Sequence, residues 1–212
     1  LILDENLGQG DRLPKEAVLV ERLGAGRSTV REAMKLLQSR NIVRIKQGSG
    51  TYVASNPGVA DDPLGFTFID DKQRLARDLL EVRFMIEPQM ASMAAEHATD
   101  DQIACIKELC DESERLAALG EDYSAADTAF HNAIAESCGN LVVPRLMGVL
   151  KASVPLFIDV TGKQLVEETI RTHRGVADAI AARNPTAAHD AMYLHLVYNR
   201  NMIAEGKQGQ NA

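Results

Sequence analysis

The chain has 212 residues, 45% of them hydrophobic and 25% charged, with 30 Asp and Glu against 23 Lys and Arg for a formal net charge of -7. That length holds one large or two small domains with real cores, and the composition excludes a disordered or low-complexity chain. No window approaches the run of about 20 apolar residues that spans a bilayer, and no signal peptide precedes the first polar loop, so the expectation is a cytoplasmic protein with no membrane partner.

The aromatic share of 4% and the absence of Trp favour helices packed through Leu, Ala, Ile and Met over a β-sandwich. Three cysteines, Cys105, Cys110 and Cys138, form no CxxC pair, and their odd count argues for buried free thiols, not a disulfide framework. Charge is spread unevenly. Residues 1–54 carry nine Lys and Arg against six Asp and Glu, a balance of +3, which leaves -10 for the remainder. A small basic module is joined to a larger acidic one.

Leu1 to Leu3 read as the tail of a helix. Pro14 to Leu23 reads as a short helix with Pro at its start and Gly24 just past its end. A tight connection through Ala25 and Gly26 leads to GRSTVREAMKLLQSR, residues 26–40, whose apolar stripe is Val30, Ala33, Met34 and Leu37. Its first turn carries Arg27 and Arg31, which the helix dipole disfavours there, with Ser28 beside them as a cap or phosphate contact. The periodicity then switches to alternation: residues 42–54 predict a β-hairpin around QGSG. Helix, turn, helix and hairpin make a winged helix-turn-helix. Such a helix puts its first residues into the major groove, where Arg binds guanine edges and Ser or Thr holds phosphate. On this reading DNA supplies the anion that Arg27 and Arg31 face. Arg44 and Lys46 of the hairpin flank the same surface, and Gly48 and Gly50 let the wing approach the sugar-phosphate chain. A solvated cationic face is the plainer alternative.

SNPGVADDPLG, residues 55–65, has linker composition. Beyond it the pattern predicts helices over roughly 72–97, 100–119, 122–138, 141–158, 163–183 and 186–205, an all-α bundle with short connections. The resulting division is a DNA-binding domain over 1–54, a linker over 55–70 and an all-α domain over 71–206, which the family resemblance given below implies to be the effector and dimerisation domain. In DTAFHNAI, Asp127 and His131 lie four apart and share a helix face, while His173 and His195 fall mid-helix in the fifth and sixth bundle helices. One carboxylate and three imidazoles converging in a bundle form an N/O site suited to a divalent transition metal such as Zn, Ni or Mn. Against this stands the reading of each histidine as an ordinary core or surface residue, and the pattern leaves both open. His97 and His189 fall near helix ends and are expected on the surface.

GDRLPKE at 10–16, RSTVREAMKLL at 27–37 and IVRIKQGSGTYVA at 42–54 resemble the DNA-binding domain of the GntR family of bacterial transcription regulators. The resemblance implies DNA contacts from Arg27, Ser28, Thr29, Arg31, Gln47 and Gly48. The family pattern expects an Arg after Glu16, where this chain has Ala17, with Lys15 as a substitute two positions earlier. DTAFH, His173 and His195 together resemble the FCD effector domain of the FadR subfamily. That resemblance implies a metal held by Asp127, His131, His173 and His195, with a small organic acid bound beside it. ARDLLEVRFMIEP at 76–88 is similar to the first effector-domain helix, whose arginine is Arg83 here, and six bundle helices are similar to the VanR-like branch.

The implied function is a regulator, in the first instance a repressor, that binds an inverted-repeat DNA operator as a homodimer and responds to a small carboxylate effector held by the metal and Arg83. Two other readings stand beside it. A metal-dependent enzyme of small carboxylates could activate water at the same ligands, but the ligand motifs bring no Glu or Lys as general acid or base, and catalysis has no use for the basic module. In the other reading the metal itself is the signal.

Overall fold

The structure, a computed structural model, describes residues 1–54, 57–58, 62–150, 156 and 166–205, the side chains of 166 and 202–205 excepted. The chain divides into two compact units, residues 1–64 and 65–212.

In the first unit, α1 (Glu16–Leu23) starts two residues later than Pro14 suggests, because Lys15 is still extended at ψ 151° while its carbonyl accepts the first helical bonds from Val18 and Leu19. Gly24 closes the helix in the left-handed region at φ 61°, where a side chain is strained. Helix α2 (Arg27–Ser39) takes Gly26 as its N-cap with no side-chain cap bond, so Ser28 lies inside the first turn and does not cap. At its other end Asn41 adopts φ 50°, and its N–H and that of Ile42 return to the Gln38 and Leu37 carbonyls. The same bond pattern follows Leu1, with Asn6 at φ 50°: Asn6 donates to Leu3 and Leu7 to Ile2.

The expected hairpin is present as β1 (Val43–Lys46) and β2 (Gly50–Val53), antiparallel with Val43 opposite Val53 and Lys46 opposite Gly50. Gln47, Gly48 and Ser49 form the turn, Gly48 at φ 74°. An extended segment at residues 10–13 pairs with the other edge of β2, through Leu13 N–H to the Thr51 carbonyl and Val53 N–H to the Asp11 carbonyl. Leu13, Leu19, Val30, Met34, Val43 and Val53 form the core beneath these elements.

The second unit has six helices among its described residues: α3 (Lys72–His97), α4 (Asp100–Ala118), α5 (Ser124–Ser137), α6 (Val143–Leu150), α7 (Val166–Ala181) and α8 (Pro185–Glu205). Their starts follow the cap chemistry. Asp71 accepts from Arg74 N–H ahead of α3, Thr99 and Gln102 form a reciprocal capping box on α4, and Pro185 opens α8. The fourth and fifth predicted helices reach into 151–155, 157–160 and 163–165, which lie outside the described residues. Met90, Ala91 and Ala94 of α3, Phe130 and Ile134 of α5, Val176 and Ile180 of α7 and Met192 of α8 meet in one core. Helix α3 packs chiefly on α8, and α7 on α8 and α4. One expectation for the thiols fails. Cys110 and Cys138 are buried, but Cys105 is exposed, because it follows the exposed Ala104 and sits about 100° of helix rotation from the inward Ile106. Among the described residues no helix is long and apolar enough to cross a membrane.

Candidate metal centre and nucleic-acid interface

In the first unit every residue expected at DNA is exposed: Arg27, Ser28, Thr29 and Arg31 on the opening turn of α2, Arg44 and Lys46 on β1, Gln47 and Gly48 in the turn. Arg31 makes a long surface ion pair with Glu16, Nη2 to Oε2 at 3.4 Å. Arg12, which sequence reasoning left unassigned within GDRLPKE, braces the wing. Its Nη2 donates to the Ser49 carbonyl at 2.5 Å and its guanidinium lies 6.0 Å from the centre of the Tyr52 ring, which also receives Lys46 Nζ at 5.1 Å. A Cβ added to Gly50 would come within 2.8 Å of Arg12 Nε, which the flexible Arg12 side chain could yield to, but φ 139° is a backbone conformation that favours glycine.

The second unit brings Asp127 and His131 of α5, His173 of α7 and His195 of α8 into one buried cluster; each is 5% exposed or less. One ring nitrogen from each of His131, His173 and His195 lies within 4.8 Å of the other two. Asp127 completes the group, its Oδ1 3.5 Å from His173 Nε2 and its Oδ2 3.9 Å from His131 Nε2. Phe130 closes one side, its ring centre 4.6 Å from that of His173. His97 is exposed and His189 half-buried, both outside the cluster.

Arg83 is buried beside the cluster and bound to a partner the motif reading did not single out. Glu87, one helical turn further along α3, accepts from Arg83 Nε at 2.6 Å and from Nη2 at 3.2 Å, and its Oε2 lies 3.1 Å from His131 Nδ1. Arg83 Nη2 is 3.3 Å from His131 Nε2. The signal for Glu87 was its place four residues after Arg83 on one helix face. Thr172 and Asn199 were also missed: the Thr172 hydroxyl is 3.0 Å from His195 Nδ1 and the Asn199 amide 3.2 Å from His195 Nε2. Nothing in the spacing of a lone Thr or Asn marks either.

Electrostatics separates the roles of these groups. Burial would raise the Glu87 carboxyl, but Arg83 first and His131 second overcome it and hold Glu87 well below the usual carboxylate range. Burial opposes the Arg83 charge in turn, and Glu87 restores it. Burial pushes His173 and His195 well below the usual imidazole value, with neighbouring histidines and Arg83 acting the same way, so both rings are neutral. Burial also raises Asp127, against the pull of His131 and Arg83. Among the described residues, both ring nitrogens of His173 and Nδ1 of His131 are buried without a hydrogen bond. Such orphaned polar atoms cost about 1–3 kcal/mol each in a packed interior. Three imidazoles and one carboxylate at these separations are a donor set that fits Zn, Ni or Mn, and a divalent cation would engage one nitrogen of each ring and favour ionised Asp127.

Residues 78–198 match the FCD domain model, and residues 1–53 match that of the bacterial regulatory proteins of the gntR family. Among curated relatives, the HTH-type transcriptional regulator LutR of Bacillus subtilis (strain 168) is 32% identical across 96% of each chain. The putative L-lactate dehydrogenase operon regulatory protein of Escherichia coli (strain K12) is 34% identical over 93% of this chain and 80% of its own. Among solved structures, Streptococcus agalactiae GntR is 38% identical over 94% of each chain, with a TM-score of 0.80. An exposed basic turn and wing on one unit and a helical FCD unit on the other agree with these matches in order and extent. The chain belongs to the GntR family of bacterial regulatory proteins with an FCD domain, and is a DNA-binding transcription regulator and not an enzyme.

Proposed function

We propose that this regulator, of the FadR subfamily and its VanR-like branch, is a cytoplasmic homodimeric repressor whose affinity for an inverted-repeat operator is set by a small organic or sugar acid bound at a divalent metal. Residues 1–54 hold the operator through Arg27, Ser28, Thr29, Arg31, Arg44, Lys46, Gln47 and Gly48. Residues 55–70 link them to the effector and dimerisation domain over 71–206. Asp127, His131, His173 and His195 hold the metal, which supplies open coordination positions for carboxylate oxygens. The guanidinium edge of Arg83 beside His131 gives a bound carboxylate a charged donor.

The observation that carries this reading is the cluster of three buried imidazoles beside one carboxylate, with both nitrogens of His173 unpartnered among the described residues, a costly arrangement that a cation relieves. One relative is named for an L-lactate dehydrogenase operon, and a 2-hydroxy acid lies within the class such a metal chelates. To regulate, the acid must bind one state of the dimer better than another, since equal affinity shifts nothing.

The test is calorimetry with a panel of carboxylates against metal-loaded and chelator-stripped protein, paired with operator affinity with and without each acid. We expect an acid that binds only the loaded form and changes operator affinity by about 5- to 150-fold. An acid that binds both forms equally overturns metal-mediated recognition. Operator affinity that responds to metal alone, with no acid bound, favours the metal as signal.

A further inference from the structure

We infer that Glu87 and Thr172 are positioning residues that hold His131 and His195 in the same tautomer, protonated at Nδ1, so that both rings offer Nε2 to one cation. This rests on the metal reading above, and its starting point is that a neutral imidazole is a ligand only through the nitrogen that lacks the proton.

For His131 two neighbours decide together. The Glu87 carboxylate stands 3.1 Å from Nδ1, at ion-pair distance though not aligned as a hydrogen bond. A guanidinium only donates, and Arg83 faces Nε2 at 3.3 Å. The Arg83 contact assigns the lone pair to Nε2, which leaves the proton to Nδ1, and the charge of the carboxylate beside Nδ1 favours the same state. Glu87 is itself fixed by two bonds from Arg83, so it has little freedom to turn away.

His195 reaches the same state by different chemistry. The Thr172 hydroxyl spends its proton on the backbone, 2.7 Å from the Glu168 carbonyl, which leaves oxygen lone pairs toward His195 Nδ1 at 3.0 Å. The Asn199 amide donates to Nε2 at 3.2 Å. Two rings on different helices, one backed by a carboxylate and the other by a hydroxyl, therefore turn the same nitrogen to the donor side. Among the described residues, His173 has no hydrogen-bonded partner at either nitrogen. The site thus has two rings set in advance and a third that the cation itself must orient.

The experiment is done on the full chain. Long-range proton–nitrogen NMR of the metal-free protein reads the tautomer of each ring, and titration with zinc against a competing chelating indicator reads affinity. The variants are Thr172→Val, which keeps the volume and loses the acceptor, Thr172→Ser, which restores it, and Glu87→Gln, which removes the charge. Thermal unfolding of each metal-free variant separates loss of fold from loss of positioning. We expect both wild-type rings as Nδ1–H, zinc affinity lowered by about 10- to 100-fold in Thr172→Val and in Glu87→Gln, and recovery in Thr172→Ser. In Thr172→Val the His195 signal should lose its single tautomer while that of His131 stays put. Wild-type protein that takes up zinc with either ring as Nε2–H, or with unchanged affinity in Thr172→Val and Glu87→Gln, overturns the inference alone. Wild-type protein that takes up no zinc, nickel or manganese overturns the metal reading and the inference with it.

Discussion

Arg31 shows how magnitudes sort a residue's role. Its ion pair with Glu16 is 3.4 Å long between side chains that are 63% and 51% exposed, and such surface pairs contribute about 0–1 kcal/mol. A bidentate contact to guanine discriminates by about 1–3 kcal/mol. The exchange of Glu16 for a base edge is therefore favourable, and the pair is no obstacle to DNA binding. We expect Arg31→Ala to weaken specific operator binding by about 1–3 kcal/mol while binding to non-specific DNA falls far less. Competition titrations with operator variants check this, and equal losses on every sequence would reduce Arg31 to a phosphate contact. At this scale the sequence was legible wherever a residue type had a helical period to place it. Asp127 and His131 share a face by spacing alone, but the contact of Glu87 with His131 emerged only when α3 was packed against α5.

Between α1 and α2 the chain turns at Gly24, whose φ of 61° lies where an L side chain meets its own backbone. Left-handed conformation costs a non-glycine residue about 1–2 kcal/mol. No neighbour lies within 4 Å of a Cβ built at that position, so the backbone strain acts alone. We expect Gly24→Ala to destabilise the first unit by about 1 kcal/mol, read from denaturant unfolding, with the operator contacts themselves untouched. An unchanged unfolding midpoint would show that the turn relaxes. Helix ends were readable because caps are chemical: Thr99 with Gln102, Asn184 before Pro185 and Gly24 each satisfy or forgo particular backbone groups. The extended segment at residues 10–13 was not readable, since four residues that begin with Gly and run into Pro14 have no period to display and their partner strand lies forty residues on. Ser28 was misplaced as a cap because both Gly26 and Ser28 are cap residues by type, and only the φ and ψ of Gly26 decide between them.

For the molecule as a whole, a cation that binds the folded effector unit and not the unfolded chain must stabilise it by mass action. At a free concentration of 100 times Kd the gain is about 2.7 kcal/mol. We therefore expect zinc, nickel or manganese to raise the unfolding temperature of the protein, with a shift that grows with concentration and is reversed by chelator. Calorimetric scans would show it, and a midpoint indifferent to all three metals would count against the site. The charge division between a first module at +3 and a remainder at -10 is a whole-chain property that composition carries outright. It directs DNA to one unit and leaves the other free for a different ligand.

By itself the sequence determined the helical pattern and several helix ends among the described residues, the basic turn and hairpin, and the four residue types of the candidate metal site, because these depend on local period, cap chemistry and side-chain identity. Tertiary structure alone decided that His131, His173 and His195 meet within 4.8 Å, that Glu87 stands behind one ring and Thr172 behind another, and that Arg12 reaches the wing. The physical reason is range. Spacing along a helix says which residues share a face, but residues twenty or more positions apart come into contact only when the buried surfaces of α3, α5, α7 and α8 choose which faces pack together.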